Sequence, residues 1–101
     1  MVILAGSKNL SGAAILASHA ALRAGAGMVK LIYPKQIHTD ISQACPEVLK
    51  FAYDFSDKKS WSEILELMNQ ADAVLVGPGL GLSETHQKLV EHLMGQLQVP
   101  V

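Results

Sequence analysis

Residues 2–33 read VILAGSKNLSGAAILASHAALRAGAGMVKLIY, and the order of residue types in this stretch decides the fold. Val2 to Ala5 is a short apolar run stopped by Gly6. From Gly12 to Ala24 alanine, leucine and isoleucine dominate, a composition that favours helix. The apolar residues fall on more than one face, which suits a helix packed between a sheet and another layer. Gly25 and Gly27 end it. Met28 to Tyr33 then carries the β-branched and aromatic residues of a second strand. A whole helix between two strands predicts parallel pairing through a right-handed βαβ crossover.

The same alternation continues outward. Pro34 stops the second strand, and Lys35 to Ala44 reads as a helix with Ile37 and Ile41 one turn apart, closed off before Pro46. Val48 to Tyr53 reads as a third strand. Ser60-Trp61-Ser62-Glu63 has the form of a capping box, followed by Trp61, Ile64, Leu65 and Met68 at helical spacing, so a helix is expected from Ser60 to about Asn69. Ala73 to Val76 is a buried strand that delivers Gly77-Pro78-Gly79-Leu80-Gly81. A helix capped by Ser83 and carrying Leu89, Val90, Leu93, Met94 and Leu97 comes next. Val99 begins the strand that the alternation calls for. The whole pattern predicts an α/β fold with a mostly parallel sheet.

Composition narrows the function. The 101 residues allow one domain and one buried core. Half are hydrophobic and the formal net charge is −1, so there is no basic field for nucleic acid. No uninterrupted apolar stretch reaches the ~20 residues that span a bilayer, and no charged-then-apolar leader begins at Met1. A soluble, cytoplasmic protein without nucleic-acid or membrane partners is expected. Cys45 is the one cysteine, which rules out an internal disulfide and gives no metal-site spacing. Its Ala44-Cys45-Pro46 setting has no neighbouring histidine to activate a thiolate, so it reads as a small packed residue.

Two loops could carry chemistry, both at the carboxyl ends of parallel strands, where open α/β sheets place ligands. In the first, Gly6 to Ala13, Ser11 is placed to cap the helix, and Gly12 and Ala13 leave its first-turn N–H groups open to an anionic or carbonyl-bearing ligand. No Gly-Lys-Ser/Thr follows, so it is not a P-loop; a capped turn of small residues is the plainer alternative. In the second, Gly77 to Gly81, the glycines let backbone approach a ligand. Leu82 stands where a dinucleotide fingerprint needs its third glycine. His86 and His92 lie six apart, off a common face, and His19 sits in the alanine-rich helix, so no metal site is assigned. Glu47 is the one loop carboxylate placed to face a cleft, and Asp72 is an ordinary turn residue. Neither has a visible partner for acid–base work.

Taken in order, Ile3 to Ser7, Ser11-Gly12-Ala13-Ala14, Ala20 to Gly27 with Val29, Pro46-Glu47, and Ala71-Asp72-Ala73 through Gly81 resemble the NAD(P)H-hydrate dehydratases. The resemblance covers nearly the whole chain. It implies a ribokinase-like fold, three α/β/α layers around a mostly parallel sheet, and an ADP- or ATP-dependent lyase, with Mg²⁺, that dehydrates the S epimer of hydrated NADH or NADPH and restores the cofactor. It places the hydrated substrate near Ala13 and Gly79. Enlarging either side chain is expected to weaken binding with little loss of melting temperature.

The family's Asp-Ala-Asp strand, Thr-Pro-His segment and Gly-Thr-Gly-Asp turn, which supply its adenosine nucleotide site and catalytic aspartate, are not among these 101 residues. Its His-Lys-Gly lead-in is also absent ahead of Met1. Residues 1–101 are therefore expected to be the amino-terminal part of a single ribokinase-like domain, with no catalytic residue inside them and an open sheet edge that favours a homo-oligomer or a poorly stable monomer. A related small-molecule kinase, of the hydroxyethylthiazole or sugar type, and an inactive structural fragment are the alternatives.

Overall fold

The four apolar runs expected as strands between Val2 and Val76 are strands in the structure, a computed structural model that describes all residues from Met1 to Val101. In chain order the elements are β1 (Val2–Leu4), α1 (Ser11–Arg23), β2 (Lys30–Pro34), a 3₁₀ turn (Lys35–Ile37), α2 (His38–Ala44), β3 (Leu49–Tyr53), α3 (Lys58–Asn69), β4 (Val74–Val76) and α4 (Glu84–Met94). All four strands are parallel, in the order β3-β2-β1-β4. Ile3 pairs with Leu31 on one side and Leu75 on the other, so β1 is central.

The period-two alternation of side chains sorts the core into two layers. Val2, Leu4, Ile32 and Val74 point to the face covered by α3 and α4, where they meet Ile64, Met68, Leu89 and Leu93. Ile3, Leu31 and Tyr33 point to the opposite face and pack with Ala14, Ile37 and Ile41 of the α1 and α2 side. The result is the expected three-layer arrangement. Close packing on both faces explains why the strands read as unbroken apolar runs.

Helix ends depart from the sequence reading in informative ways. α1 closes as expected: Ala24 is the C-cap, Gly25 takes φ +102°, and N–H groups of Gly25 and Ala26 return to the carbonyls of Leu22 and Ala21. That is a Schellman motif, which needs a residue tolerant of positive φ at Gly25. α3 starts earlier than the capping box predicted. Asp57 is its N-cap, its carboxylate accepting from Lys59 N–H at 3.0 Å. Ser60 is instead buried, its hydroxyl directed at the carbonyls of Asp57 (2.7 Å) and Asp54 (3.0 Å). A charged carboxylate both accepts from the first-turn N–H groups and complements the helix dipole, so it displaces serine from the cap.

The stretch expected to be one helix from Lys35 divides into the 3₁₀ turn and the short α2. α4 ends at Met94, ahead of Leu97, which nevertheless packs on the α3/α4 core. The strand expected at Val99 is not formed. One backbone bond, Val74 N–H to Pro100 carbonyl at 2.9 Å, occupies the outward side of β4. The other edge, β3, carries Lys50, whose ammonium folds back onto the carbonyls of Cys45 and Val48. An inward-held charge of this kind discourages further strand pairing.

Candidate functional site at the strand ends

The strand order reverses at β1. The loop after β1 leads to α1 on one face of the sheet, and the loop after β4 leads to α4 on the other. Between two such diverging loops an open α/β sheet forms its ligand crevice. Here the loops are pinned to each other. Gly77 N–H donates to Leu4 carbonyl at 3.2 Å, Gly6 N–H to Pro78 carbonyl at 2.8 Å, and Ser7 hydroxyl to Gly79 carbonyl at 2.7 Å.

The two residues singled out from sequence, Ala13 and Gly79, come into direct contact. Gly79 takes φ +69°, and a Cβ there would lie 2.8 Å from Ala13 Cβ and 2.9 Å from Leu10 carbonyl oxygen. No side chain fits. This corrects the expectation that enlarging Gly79 would spare the melting temperature: the residue is part of the packing between the loops. Ser11 also departs from its expected role. Asn9 takes φ +71° and Leu10 N–H bonds to Ser7 carbonyl at 2.9 Å, which turns the chain into the helix early. Leu10 becomes the N-cap, Ser11 is the first helical residue, and no side chain caps α1. Its first-turn N–H groups are thus left open more fully than the sequence reading required. Gly12 is exposed, with open space where a Cβ would stand.

Beside this contact lies a cavity of about 470 Å³, bounded by Ser7, Lys8 and Leu10 of the first loop, Pro34 at the end of β2 and Gln36 in the turn after it, Asp54 to Ser56 after β3, and Leu80 to Ser83, Thr85 and His86 of the second loop and α4. The Asp54 carboxylate accepts from Ser56 hydroxyl (2.6 Å) and N–H (3.0 Å), which together with Lys35 nearby hold it below the usual carboxylate range. His86 Nδ1 lies 2.6 Å from Leu80 carbonyl oxygen, and its ring meets Phe55 edge-on at 5.1 Å.

Of the residues lining this cavity, His86 was weighed from sequence only as a metal ligand, Lys8 only as part of the first loop, and Asp54 not at all. A signal for Asp54 was present, since it is the first residue past the carboxyl end of a strand; nothing local distinguished His86.

The remaining candidates lie elsewhere. Glu47 precedes β3 and is exposed at the amino ends of the strands, away from the cavity it was expected to face. Asp72, before β4, lines a small cleft at that same end with Met1 and Lys30. Cys45 is fully buried, as a packed residue should be, but a histidine does approach it: His19 Nε2 is 3.9 Å from the sulfur. Because that nitrogen also lies 3.0 Å from Ala44 carbonyl oxygen, it serves as a donor there and cannot take the thiol proton. Burial, reinforced by Glu47 and opposed by Lys50, pushes the Cys45 thiol up. His92 packs its ring against Trp61 at 5.4 Å.

Comparison with known proteins meets this geometry. The family described as NAD(P)H-hydrate dehydratase matches residues 1–100. The chain is similar to the ADP-dependent (S)-NAD(P)H-hydrate dehydratase of Enterococcus faecalis, 31% identical over 98 residues that make up 97% of this chain and 32% of that protein. Among solved structures, a ribokinase-like superfamily protein from Enterococcus faecalis superposes with a TM-score of 0.78 at 31% identity, covering 96% of this chain and 33% of that one. The ADP/ATP-dependent NAD(P)H-hydrate dehydratase of Bacillus subtilis, co-crystallised with ATP/Mg²⁺, superposes with a TM-score of 0.72 at 27% identity over 99% of this chain and 34% of that one. This chain spans about a third of the length of these relatives. By sequence match and by fold, it belongs to the NAD(P)H-hydrate dehydratase family.

Proposed function

We propose that this chain supplies the substrate-binding side of an ADP- or ATP-dependent dehydratase acting on the S epimer of hydrated NADH or NADPH, with backbone at Ala13 and Gly79 against the hydrated nucleotide. The observation that carries the reading is the contact of these two residues across the switch point, which joins an uncapped helix start to a side-chain-free glycine turn. Helix-start N–H groups favour anionic or carbonyl oxygen, and glycine backbone lets a ring approach closely.

The chain's own residues bind and orient. No three His, Cys, Asp or Glu side chains come together as metal ligands would, and none of the 101 residues forms the Gly-Thr-Gly-Asp turn. On the resemblance to the family we place ADP or ATP with its Mg²⁺, like the catalytic aspartate, on residues other than these. As to assembly, the outward side of β4 keeps one backbone bond, and Leu75 of that strand is exposed, which supports pairing of copies into a homo-oligomer. Sedimentation velocity at several concentrations tests this, and a monomer at all of them refutes it.

The test of the binding reading is calorimetry with NADP⁺ as an analogue. Gly12→Leu adds a side chain into open space beside Ala13, so it should keep the melting temperature and weaken binding about tenfold or more, the cost of blocking one close contact. Unchanged affinity in a folded Gly12→Leu and in Ala13→Leu would remove the substrate from this helix start.

A further inference from the structure

The cavity beside Gly79 has a chemistry of its own. A carbonyl oxygen only accepts, so the 2.6 Å bond to Leu80 fixes the proton of neutral His86 on Nδ1. The edge-on contact with Phe55 holds the ring in place. That leaves Nε2 as a bare acceptor. It makes no hydrogen bond, and since no buried side-chain nitrogen or oxygen goes without a partner, it is open to solvent. Across the cavity, Asp54 commits Oδ1 to Ser56 and keeps Oδ2 free, while exposed Lys8 places an ammonium at the rim. Gln36 and the Ser83 hydroxyl, which accepts from His86 N–H, add donors.

Two fixed acceptors, flanking donors and one cation match a ligand with hydroxyl groups and a phosphate. A base ring is matched poorly, since the one aromatic ring in the lining, that of Phe55, is engaged by His86. The volume falls within the roughly 300–1,000 Å³ of small-molecule sites. We propose that this cavity is a sugar-phosphate subsite, in which His86 Nε2 and Asp54 accept hydrogen bonds from ribose hydroxyls and Lys8 pairs with the phosphate. The inference rests on the reading of the chain as a binder of hydrated NAD(P)H, whose ribose-phosphate units are such ligands. It adds side-chain recognition of the part of the substrate remote from the reacting ring.

Ribose 5-phosphate and NADP⁺, each titrated into the 101-residue chain and followed by amide and imidazole NMR, test it. Ribose 5-phosphate should shift the Ser83 to His86 amides and the His86 ring saturably. His86→Phe, which keeps the ring against Phe55, and Asp54→Asn should each weaken binding about fivefold, the worth of one hydrogen bond. Lys8→Gln, at an exposed position that cannot disturb folding, should weaken it and flatten its salt dependence. Ribose 5-phosphate that leaves Ser83 to His86 unmoved, or binds all three variants as it binds the parent, overturns the subsite. The Gly12 to Ala14 amides report separately on the helix-start contact. NADP⁺ shifts there without ribose 5-phosphate in the cavity sink this inference alone, whereas ribose 5-phosphate in the cavity without NADP⁺ shifts at Gly12 to Ala14 uphold the subsite and sink the dinucleotide reading.

Discussion

Replacing Gly79 by alanine adds one methyl group at the point where the two loops touch. At φ +69° an L-residue carries a backbone cost of roughly 1–2 kcal/mol. The new Cβ would sit 2.9 Å from Leu10 carbonyl oxygen and 2.8 Å from Ala13 Cβ, both closer than ordinary van der Waals contact. Neither neighbour is the free end of a long side chain, so the loops must separate. Separation strains the 2.7 Å bond from Ser7 hydroxyl to Gly79 carbonyl, worth about 1 kcal/mol. The sum is about 2–3 kcal/mol out of the 5–15 kcal/mol typical of a whole domain. At about 4–8 °C per kcal/mol for a chain of this size, the melting temperature should fall by roughly 10–20 °C. Urea unfolding gives the free energy directly. Adding Ala13→Gly removes the Cβ contact but leaves the Leu10 oxygen, so the double variant should recover part of the loss and not all of it. A Gly79→Ala protein within about 0.5 kcal/mol of the parent, the scatter of neutral surface changes, would refute the argument.

Three further outcomes follow from the same structure. Gly12→Ala, in the first turn of α1 with open space for the methyl group, should stabilise the chain by about 0.5–1 kcal/mol in urea unfolding, and destabilisation would show that the position is strained. Asp57→Ala should cost about 1 kcal/mol by removing the carboxylate from Lys59 N–H, whereas an equal cost from Ser62→Ala, whose exposed hydroxyl reaches only Lys59 carbonyl, would place the cap elsewhere. The Cys45 thiol, raised by burial, holds its proton in the folded chain to higher pH than in the unfolded one, where it titrates near 8.5. Above that value the unfolded state binds fewer protons, so this contribution to stability is whole below about pH 8.5 and drains away as pH rises toward the folded value. Tyr33, also raised by burial, acts in the same sense at higher pH. Melting temperatures of Cys45→Ala should therefore fall less steeply than the parent's between about pH 8 and 10, and parallel curves would count against the shift.

The sheet was legible because both faces are covered, which turns β1, β2 and β4 into short apolar runs that no loop would tolerate. Helix starts were less legible. Ser60 matches a capping box letter for letter, yet Asp57 takes the cap, because the choice depends on which side chain the preceding loop leaves outside: Phe55 and Ser60 are drawn in, and Asp57 remains exposed. Ser11 lost its expected role to a turn at Asn9 that local residue types do not announce. The glycine loops were legible as strand-end turns because each follows an apolar strand. Their contact was not, since 65 residues lie between Ala13 and Gly79 and only the β3-β2-β1-β4 order brings them together. Asp54 and His86 line one cavity for the same reason: the loop after β3 and the start of α4 lie at one rim of the sheet.

On the proposed binding reading, that rim divides the labour of recognition in a way the residue types explain. At Ala13 and Gly79 the protein offers backbone and small side chains, which do not restrict what lies flat against them but also hold it weakly. A ligand held by such a surface alone keeps rotational freedom, and orientation is what converts contact into a reactive geometry. Side chains that fix direction stand a short way off, on His86, Asp54 and Lys8. The His86 ring cannot swing, because its Nδ1 proton and its edge are both engaged, so the hydrogen bond it accepts has one direction. Anchoring the remote part of a substrate there would restrict the ring end without placing any titrating group beside it. A truncated substrate would test this division: nicotinamide alone should shift the Gly12 to Ala14 amides far less than NADP⁺ at equal concentration, although it carries the whole of the ring. Equal shifts would show that the helix start holds the ring unaided and that the anchor contributes nothing to its placement.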